Sequence, residues 1–193
     1  IGKIVARNNT TLEMRKRLGF QHFWPIVIMQ TWKTTSAEQT IEVGRKIGRT
    51  LNPGTVIAFC GELGSGKTTM IKGIGLGLGV RSEREIKSPT FVILHIYKGR
   101  IPLYHFDLYR MEGPSDLESL GMDEFLSDPK AVTVIEWAER LPDISKQANI
   151  KIEIKRSDKD SRVIQLSKFK HQKNSCGWHF LKCFIHRDLF RNG

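Results

Sequence analysis

The sequence lacks the features of membrane and secreted proteins. It has no uninterrupted apolar run of about 18 residues, the length that a membrane-spanning helix needs, and a partly apolar stretch at 19–31 is broken by Gln21, His22 and Pro25. No small-residue cleavage site follows that stretch, so we expect no secretory signal. With three cysteines in 193 residues, no disulfide framework is predicted. These absences favour the reducing cytoplasm and argue against a membrane-spanning protein.

Acidic residues are fewer than basic ones, but nearly all of the excess positive charge lies at the two ends of the chain. The net charge is +11, and residues 1–33 and 166–193 each contain six Lys or Arg and one acidic residue, a net charge of +5 apiece. The central part is left with a net charge of +1. It therefore does not have the basic surface typical of nucleic-acid binding, whereas the basic ends are either solvated or bind RNA.

The length suits one domain with appendages. We predict a basic N-terminal extension at 1–28, a central domain at 29–166 and a basic C-terminal tail at 167–193, for which disorder is one expectation. The tail contains four potential zinc ligands that would share one face of a helix. Their spacing is not that of a standard zinc finger, and an apolar tail is the alternative. The four residues are Cys176, His179, Cys183 and His186.

One short segment, from Gly61 to Thr69, fits the pattern G-x-x-x-x-G-K-[ST] of a phosphate-binding loop (P-loop). Glycines let the backbone turn tightly and direct its N–H groups at phosphate oxygens, the lysine adds positive charge, and the next hydroxyl can coordinate Mg²⁺. An apolar run at 55–60 precedes the loop as a buried strand would, and a helical pattern follows it. We therefore predict that the loop binds a nucleoside triphosphate. Its predicted binding residues are Gly61, Glu62, Leu63, Gly64, Ser65, Gly66, Lys67, Thr68 and Thr69.

The rest of the chain alternates strand and helix patterns. Ser36 and Gln39 form a capping box before a helix at 37–49, and further helices are predicted from the loop to about residue 79, at 116–120 and at 123–126. Glycines at 73, 75 and 77 weaken the loop helix by about 1 kcal/mol each against alanine and predict a close-packed neighbour. Strands are predicted at 29–33, 55–60, 91–97, 101–108, 131–135, 150–154 and 162–166. This order predicts an α/β fold, a P-loop NTPase-like three-layer sandwich with a mainly parallel central sheet and an antiparallel hairpin.

Two acidic residues, Asp107 and Glu136, close apolar runs, at the edge where open α/β sheets place their ligands. Either residue could simply cap a turn. Beside a phosphate loop, however, the two together favour roles in holding Mg²⁺ and in orienting an attacking water. Thr90, in a polar loop after Ser88, either reaches the γ-phosphate, as switch loops do, or is an ordinary hydroxyl at a strand start.

The nucleotide and the reaction are less tightly specified. No Asn-Lys-x-Asp segment for guanine recognition is present, which favours ATP over GTP. A small-molecule kinase would need a second substrate pocket and usually an arginine-bearing lid, and Arg81 and Arg84 leave that alternative open. A third reading is an adaptor whose conformation the nucleotide fixes and whose hydrolysis is incidental.

Five unusual blocks occur in order along the chain. They are Gly61–Thr69, Lys87–Phe91, Tyr104–Arg110, Leu120–Gly121 and Ile135–Trp137. In this order they resemble the TsaE (YjeE) family, bacterial ATPases required to make threonylcarbamoyladenosine in tRNA. The resemblance runs from about Trp32 to Leu166.

The resemblance implies a role for each matched residue. Lys67 and Thr68 would bind phosphate and Mg²⁺, Asp107 would contact the nucleotide–metal site, and Trp137 would lie close to the nucleotide. Glu136 would bind the metal and take part in hydrolysis, so that the implied catalytic residues are Glu136, Lys67 and Asp107. Two further residues implied to lie near the nucleotide are Glu38 and Arg162.

The resemblance also implies that the chain works through partners. It would be a Mg²⁺-dependent ATPase, weak alone, that docks on the TsaD–TsaB pair and resets the synthase between turnovers. The tRNA would then be contacted indirectly, through the complex. Partner-dependent activity suits a site that lacks some of its water-positioning groups. A partner would supply these groups in trans, as GTPase activators do.

Overall fold

A single mixed sheet organises the part of the chain that the structure describes. The structure is a computed structural model, and it describes residues 3–4, 26–111 and 121–170. In these ranges, eight strands form the sheet, in the order β1-β2-β8-β7-β3-β6-β5-β4. The strands are β1 (Lys3–Ile4), β2 (Ile26–Thr34), β3 (Val56–Cys60), β4 (Leu94–Tyr97), β5 (Leu103–Asp107), β6 (Val132–Glu136), β7 (Ile150–Arg156) and β8 (Arg162–Lys170). The helices are α1 (Ala37–Thr50), α2 (Lys67–Leu78), α3 (Met122–Ser127) and α4 (Pro142–Gln147), with a 3₁₀ turn at Ala138–Arg140.

The centre of the sheet is parallel and its flanks are antiparallel. Strands β7, β3, β6 and β5 pair in parallel, whereas β4 joins β5 and β8 joins β7 in antiparallel pairs. The parallel centre, the β4–β5 hairpin and the pairing of the strands predicted at 150–154 and 162–166 are thus confirmed, as is the α/β class. Antiparallel pairs nevertheless outnumber parallel ones among the described strands. The reason is that β8, β2 and β1 extend the sheet beyond β7, and each of them joins its neighbour in an antiparallel pair.

Apolar side chains pack on both faces of this sheet. Ile57 and Phe59 of β3 belong to the core beneath α1 and α2, whereas Val56 and Ala58 belong to the core that α3 and α4 cover. All four side chains are buried, as the short apolar run of a central strand predicts. The result is a layer of helices on each side of one sheet.

Helices α1 and α2 touch backbone to backbone. A Cβ placed on Gly44 would lie 2.3 Å from the carbonyl oxygen of Met70, and one on Gly73 would lie 2.0 Å from that of Ile41. The same contact recurs one turn later between Gly48 and Gly77. The close-packed neighbour predicted from the glycines of α2 is therefore confirmed, and for Gly73 and Gly77 it is the backbone of α1.

The third glycine of that set has a different neighbour. Gly75 faces the side chain of Ile86, whose Cδ1 would lie 2.2 Å from a Cβ at position 75. Ile86 is fully buried and begins the loop that returns to the sheet. Gly75 thus makes room for a loop residue rather than for a helix.

Several predicted boundaries shift in the structure. The strand predicted at 91–97 begins only at Leu94, because the amides of Val92 and Ile93 bond to the carbonyl of Pro89 and close a turn. Ile93 takes a left-handed backbone conformation, with φ of 68°, which a strand cannot contain. The strand predicted at 101–108 is Leu103–Asp107.

The outer strands are longer than predicted. β2 and β8 pair from Ile26 opposite Lys170 to Thr34 opposite Arg162, and so run past residues 29 and 166, the predicted limits of the central domain. The helix predicted at 116–120 and the four cysteines and histidines of the tail lie outside the described residues, and the domain division stays a prediction. None of the helices in the described ranges is both long and apolar enough to cross a bilayer.

Candidate active site

The candidate site lies where β3, β5 and β6 end, at one edge of the sheet. β3 runs directly into the phosphate loop at residues 61–66, and α2 follows. Glu136, the last residue of β6, is the register partner of Phe59 on β3 and of Asp107 on β5. Parallel strands thus bring the loop and both strand-end acids to the same edge, as predicted from the sequence.

The loop backbone turns at three glycines. Gly61, Gly64 and Gly66 have φ angles of 141°, 72° and 106°, in the region that favours glycine. A Cβ on Gly61 would lie 2.4 Å from the carbonyl oxygen of Ile154, so the loop can follow this path only with glycine there. No side chain caps the N-terminus of α2, which leaves its first amides free for an anion.

Ser65 adds a hydroxyl to the same cradle. Its side chain is buried, and its Oγ has no hydrogen-bond partner among the described residues. A buried hydroxyl without a partner is costly. Together with the free amides of α2, it fits a bound phosphate oxygen.

Lys67 is buried against the loop and an aromatic ring. Its Nζ donates to the carbonyl oxygens of Gly61 at 2.7 Å and Glu62 at 3.0 Å, and lies 3.7 Å from the centroid of the Trp137 ring. Burial lowers the pKa of Lys67, while the nearby carboxylates of Glu136 and other acids act in the opposite direction. The ammonium is therefore held at the loop by carbonyl oxygens, a ring face and negative charge.

Thr68 and Glu136 join the loop to the sheet. The Thr68 hydroxyl donates to Glu136 at 2.8 Å from Oε1 and 3.0 Å from Oε2. Among the described residues, no three His, Cys, Asp or Glu side chains converge as a complete metal cage. Mg²⁺ binds oxygen atoms, keeps several waters and usually takes one or two protein ligands plus phosphate. The Thr68 hydroxyl and the Glu136 carboxylate offer oxygen atoms of this kind.

Asp107 holds the loop that precedes β4. Its Oδ2 accepts hydrogen bonds from the hydroxyls of Ser88 and Thr90, the latter at 2.7 Å, and its Oδ1 accepts one from the amide of Tyr109 at 2.9 Å. Asp107 is buried. Thr90 therefore lies beside the strand-end acid, and its predicted reach to a γ-phosphate stays a prediction.

Trp137 and Tyr109 form the aromatic side of the site. Their ring centroids are 5.0 Å apart, and the guanidinium of Arg140 lies 5.9 Å from the Trp137 ring. Trp137 has a φ of 60°, an uncommon conformation for a bulky residue and one that is concentrated at functional sites. This conformation turns the chain directly after Glu136 and places the Trp137 ring over Lys67.

Arg162 lies beside the loop, and Glu38 lies in the first turn of α1. A Cβ on Gly66 would be 3.7 Å from Nε of Arg162, and Arg162 is the register partner of Thr34, two residues before the cap of α1. Ser36 accepts a hydrogen bond from the amide of Gln39, which confirms half of the predicted capping box. Glu38 is exposed in the first turn of α1, and a hydrogen bond from Ser36 lowers its pKa. Arg162 thus neighbours the loop, whereas no described contact joins Glu38 to it.

A family model described as "Threonylcarbamoyl adenosine biosynthesis protein TsaE" matches residues 34–164, about two thirds of the chain. The chain belongs to the TsaE family. It is 40% identical over 134 residues to the tRNA threonylcarbamoyladenosine biosynthesis protein TsaE of Bacillus subtilis, which covers 69% of this chain and 82% of that protein. The protein of the same name from a Nostoc species is 39% identical over 136 residues, covering 68% and 82%.

A solved structure agrees with this assignment. The crystal structure of Bacillus subtilis YdiB matches with a TM-score of 0.60 and 30% sequence identity, over 87% of this chain and 99% of that one. The resemblance to the TsaE family, inferred from five sequence blocks, is thus confirmed. Every residue predicted for the site lies inside the matched range, from Glu38 to Arg162.

The residues of this TsaE-family site that were not predicted include Tyr109, His105, Ser88 and Glu139. His105 donates or accepts at 2.8 Å from Glu136, Ser88 bonds Asp107, and Glu139 accepts from the amide of Gly61 at 3.1 Å. A signal for His105 was present in the sequence, because it is a polar residue two positions before Asp107 in an otherwise apolar strand, and so faces the same side. The contacts of Ser88 and Glu139 depend on loop paths that leave no periodic pattern.

Proposed function

We propose that this TsaE-family chain is a Mg²⁺-dependent ATPase of tRNA threonylcarbamoyladenosine biosynthesis, and that its nucleotide state acts as a switch on a complex of TsaD and TsaB. The observation that carries the proposal is the bond between Thr68 and Glu136, which joins the phosphate loop to a strand-end carboxylate. The pathway is the one named for its relatives. The fold places the two residues together from positions 68 residues apart.

The loop residues bind and orient the nucleotide. The amides at the start of α2 and the hydroxyl of Ser65 donate to phosphate oxygens, and the positive end of the helix dipole favours their charge. Lys67 exchanges its bonds to the loop carbonyls for bonds to phosphate. The Trp137 ring covers the lysine and keeps bulk water from it, and Tyr109 packs against Trp137.

Thr68 and Glu136 hold Mg²⁺ and set the geometry for hydrolysis. The ion, when bound, neutralises the charge that develops on the phosphate oxygens. The hydroxyl of Thr68 serves as a ligand, and the carboxylate of Glu136 accepts hydrogen bonds and orients the attacking water. Asp107 keeps Ser88 and Thr90 beside the site, so that the loop from 86 to 93 is positioned relative to the phosphates.

A protein partner accounts for the surface around the site. The side chains of Leu63, Phe91 and Val92 are exposed by 77%, 82% and 59%, although large apolar side chains favour burial. All three belong to the loops that surround the strand-end acids. The near-neutral central charge favours recognition by protein, so contact with tRNA runs through the complex.

A reconstitution tests the proposal. Purified TsaD and TsaB, with tRNA and the substrates of the modification, receive this chain with ATP and Mg²⁺, with ATP and EDTA, or with a non-hydrolysable ATP analogue. We expect many modified tRNAs per complex only with ATP and Mg²⁺. Multiple turnovers with the analogue would favour the adaptor alternative, and phosphoryl transfer to a metabolite rather than to water would favour the kinase. Failure in all three mixtures would contradict the assignment to this pathway.

A further inference from the structure

His105 is the most deeply buried polar residue beside the site. It lies in the middle of β5, its side chain has no exposed surface, and its Nε2 is 2.8 Å from Oε1 of Glu136. It is not part of the phosphate loop and does not contact Asp107, the other strand-end acid. β5 therefore contacts the carboxylate of Glu136 through the imidazole of His105.

Thr68 and His105 both bond the carboxylate of Glu136, but only His105 can keep its bond once Mg²⁺ is bound. Thr68 donates to both carboxylate oxygens, but its hydroxyl is also the ligand proposed for Mg²⁺. A hydroxyl that turns towards a metal ion no longer fixes the carboxylate as it does here. His105, on the adjacent strand β5, bonds Oε1 of Glu136 and has no proposed role as a metal ligand.

We propose that His105 is a positioning residue, whose Nε2–H fixes the carboxylate of Glu136 for Mg²⁺ binding and hydrolysis. This inference rests on the proposed ATPase function. Hydrogen-bond partners of this kind, one step removed from the metal, hold ligating groups in place and set their orientation. In this role the imidazole acts through Glu136.

The surroundings of the ring specify its tautomer. Nδ1 has no hydrogen-bond partner among the described residues, and the ring faces Tyr97, with 6.3 Å between the centroids. A neutral ring with its proton on Nε2 donates to Glu136 and leaves only an acceptor without a partner.

Packing alone does not account for a histidine here. The neighbouring core positions on both sides of the sheet are apolar, and Leu103, two residues earlier on the same face, is fully buried. A leucine at 105 would fill such a position without a buried polar atom that lacks a partner. The histidine therefore leaves one buried nitrogen, Nδ1, without a partner, and in exchange it bonds Glu136.

Three variants separate positioning from packing. His105→Leu keeps the bulk and removes the donor, His105→Gln keeps a donor near the place of Nε2, and His95→Leu is the control. His95 is the register partner of His105 on β4 and does not bond Glu136. We expect His105→Leu to lower kcat for ATP by about 10- to 100-fold with little change in KM, and His105→Gln and His95→Leu to stay close to the wild type.

A double substitution tests whether His105 acts through Glu136. If it does, adding His105→Leu to Glu136→Ala causes no further loss of kcat, because the group that it positions has gone. A kcat of His105→Leu equal to that of the wild type would overturn the inference. So would a further loss in the double variant, since a residue that only supports the fold lowers activity in either background. Thermal unfolding of each variant shows that the comparison is made on folded protein.

A measurement without nucleotide keeps this inference separate from the proposed function. In long-range proton–nitrogen spectra of ¹⁵N-histidine protein, we expect His105 to show a slowly exchanging proton on Nε2 that is lost in Glu136→Ala. A proton on Nδ1, or a spectrum unaffected by Glu136→Ala, would contradict the positioning role. A wild type that hydrolyses no ATP in the full reconstitution would count against the proposed function, while the spectra would still decide whether His105 holds Glu136.

Discussion

Asp107 and Glu136 end neighbouring parallel strands as register partners, yet they hold different parts of the molecule. Asp107 bonds the hydroxyls of Ser88 and Thr90, in the loop before β4. Glu136 bonds the first turn of α2 through Thr68. Both carboxylates are buried, and each accepts hydrogen bonds from a different segment of the chain. The two acids therefore are not interchangeable, and their substitution should have different effects.

Removal of the Glu136 carboxylate should impair hydrolysis more than nucleotide binding. In Glu136→Ala the amides of the loop and Lys67 remain, whereas the water-orienting group is lost, so we expect kcat to fall by about 100-fold or more. Phosphate release under saturating ATP and Mg²⁺ measures the rate, and calorimetry measures affinity. Glu153→Ala, which removes a partly exposed acid from β7, is the control. Unchanged turnover in Glu136→Ala would show that the catalytic assignment is wrong.

Substitution of Asp107 should release the loop at 86–93. In Asp107→Asn an amide replaces the carboxylate that accepts from two hydroxyls, so one donor loses its acceptor or meets another donor. We expect faster amide hydrogen exchange across residues 86–93 and an ATP affinity about 10-fold weaker, because charge-assisted bonds are the strong ones. Asp123→Asn, on the exposed first turn of α3, gives the baseline. If amide exchange across residues 86–93 is as slow in Asp107→Asn as in Asp123→Asn, Asp107 does not anchor the loop.

An added methyl group at the contact of α1 and α2 should destabilise the protein. Alanine is the better helix former by about 1 kcal/mol, but in Gly73→Ala the new Cβ would lie 2.0 Å from the carbonyl oxygen of Ile41. Both sides of that contact are backbone, so we expect a net loss of about 3 kcal/mol in the free energy of unfolding. Urea unfolding measures it. Lys72→Ala, one position earlier in the same helix, should change stability by about 0.5 kcal/mol or less.

Cys60 should be slow to alkylate at neutral pH. Burial, followed by the charge of Glu139, raises the pKa of the Cys60 thiol from 9.0 to about 11. In a variant with Cys176→Ser and Cys183→Ser, we expect iodoacetamide to react at pH 8 about 100-fold more slowly than with a free cysteine, because only the thiolate reacts. Alkylation in urea should restore the ordinary rate. A fast reaction in the folded protein would contradict the buried, protonated thiol.

The same shift predicts a pH dependence of stability. The folded protein holds the thiol proton more tightly than the unfolded chain, so the contribution of Cys60 is fully present below about pH 9. It is lost as the pH rises from 9 towards 11. The difference in unfolding free energy between the wild type and Cys60→Ala should therefore shrink over this range. A constant difference would show that the pKa is not raised.

Much of the candidate site could be predicted because its signals are local. Lys67 and Thr68 belong to one short motif, and the strand before it and the helix after it follow from hydrophobic periodicity. Asp107 and Glu136 stand at strand ends, and parallel strands necessarily bring such ends to one edge. The proximity of the motif to both acids was thus expected from topology, whereas only Glu136 bonds the motif, through Thr68.

The remaining features depend on tertiary structure. The residues from Phe91 to Ile93 have strong strand propensity, yet Pro89 and the left-handed backbone of Ile93 close a turn there. The fold, not local preference, decides that Ser88 bonds Asp107 rather than water. The bond of His105 to Glu136 likewise depends on the register of β5 against β6, which a single sequence does not specify.

The glycine contacts between α1 and α2 have a mechanical consequence. Where two helices meet through backbone atoms, there is no intervening layer of side chains that can change rotamer and absorb a displacement. Any movement of α2 on nucleotide binding should therefore carry α1 with it as one rigid body. Since α1 follows directly from β2, the state of the loop would be transmitted to Thr34 and Ser36, at the end of the sheet opposite β4. A partner that contacts the start of α1 would thus sense the nucleotide state through the movement of that helix.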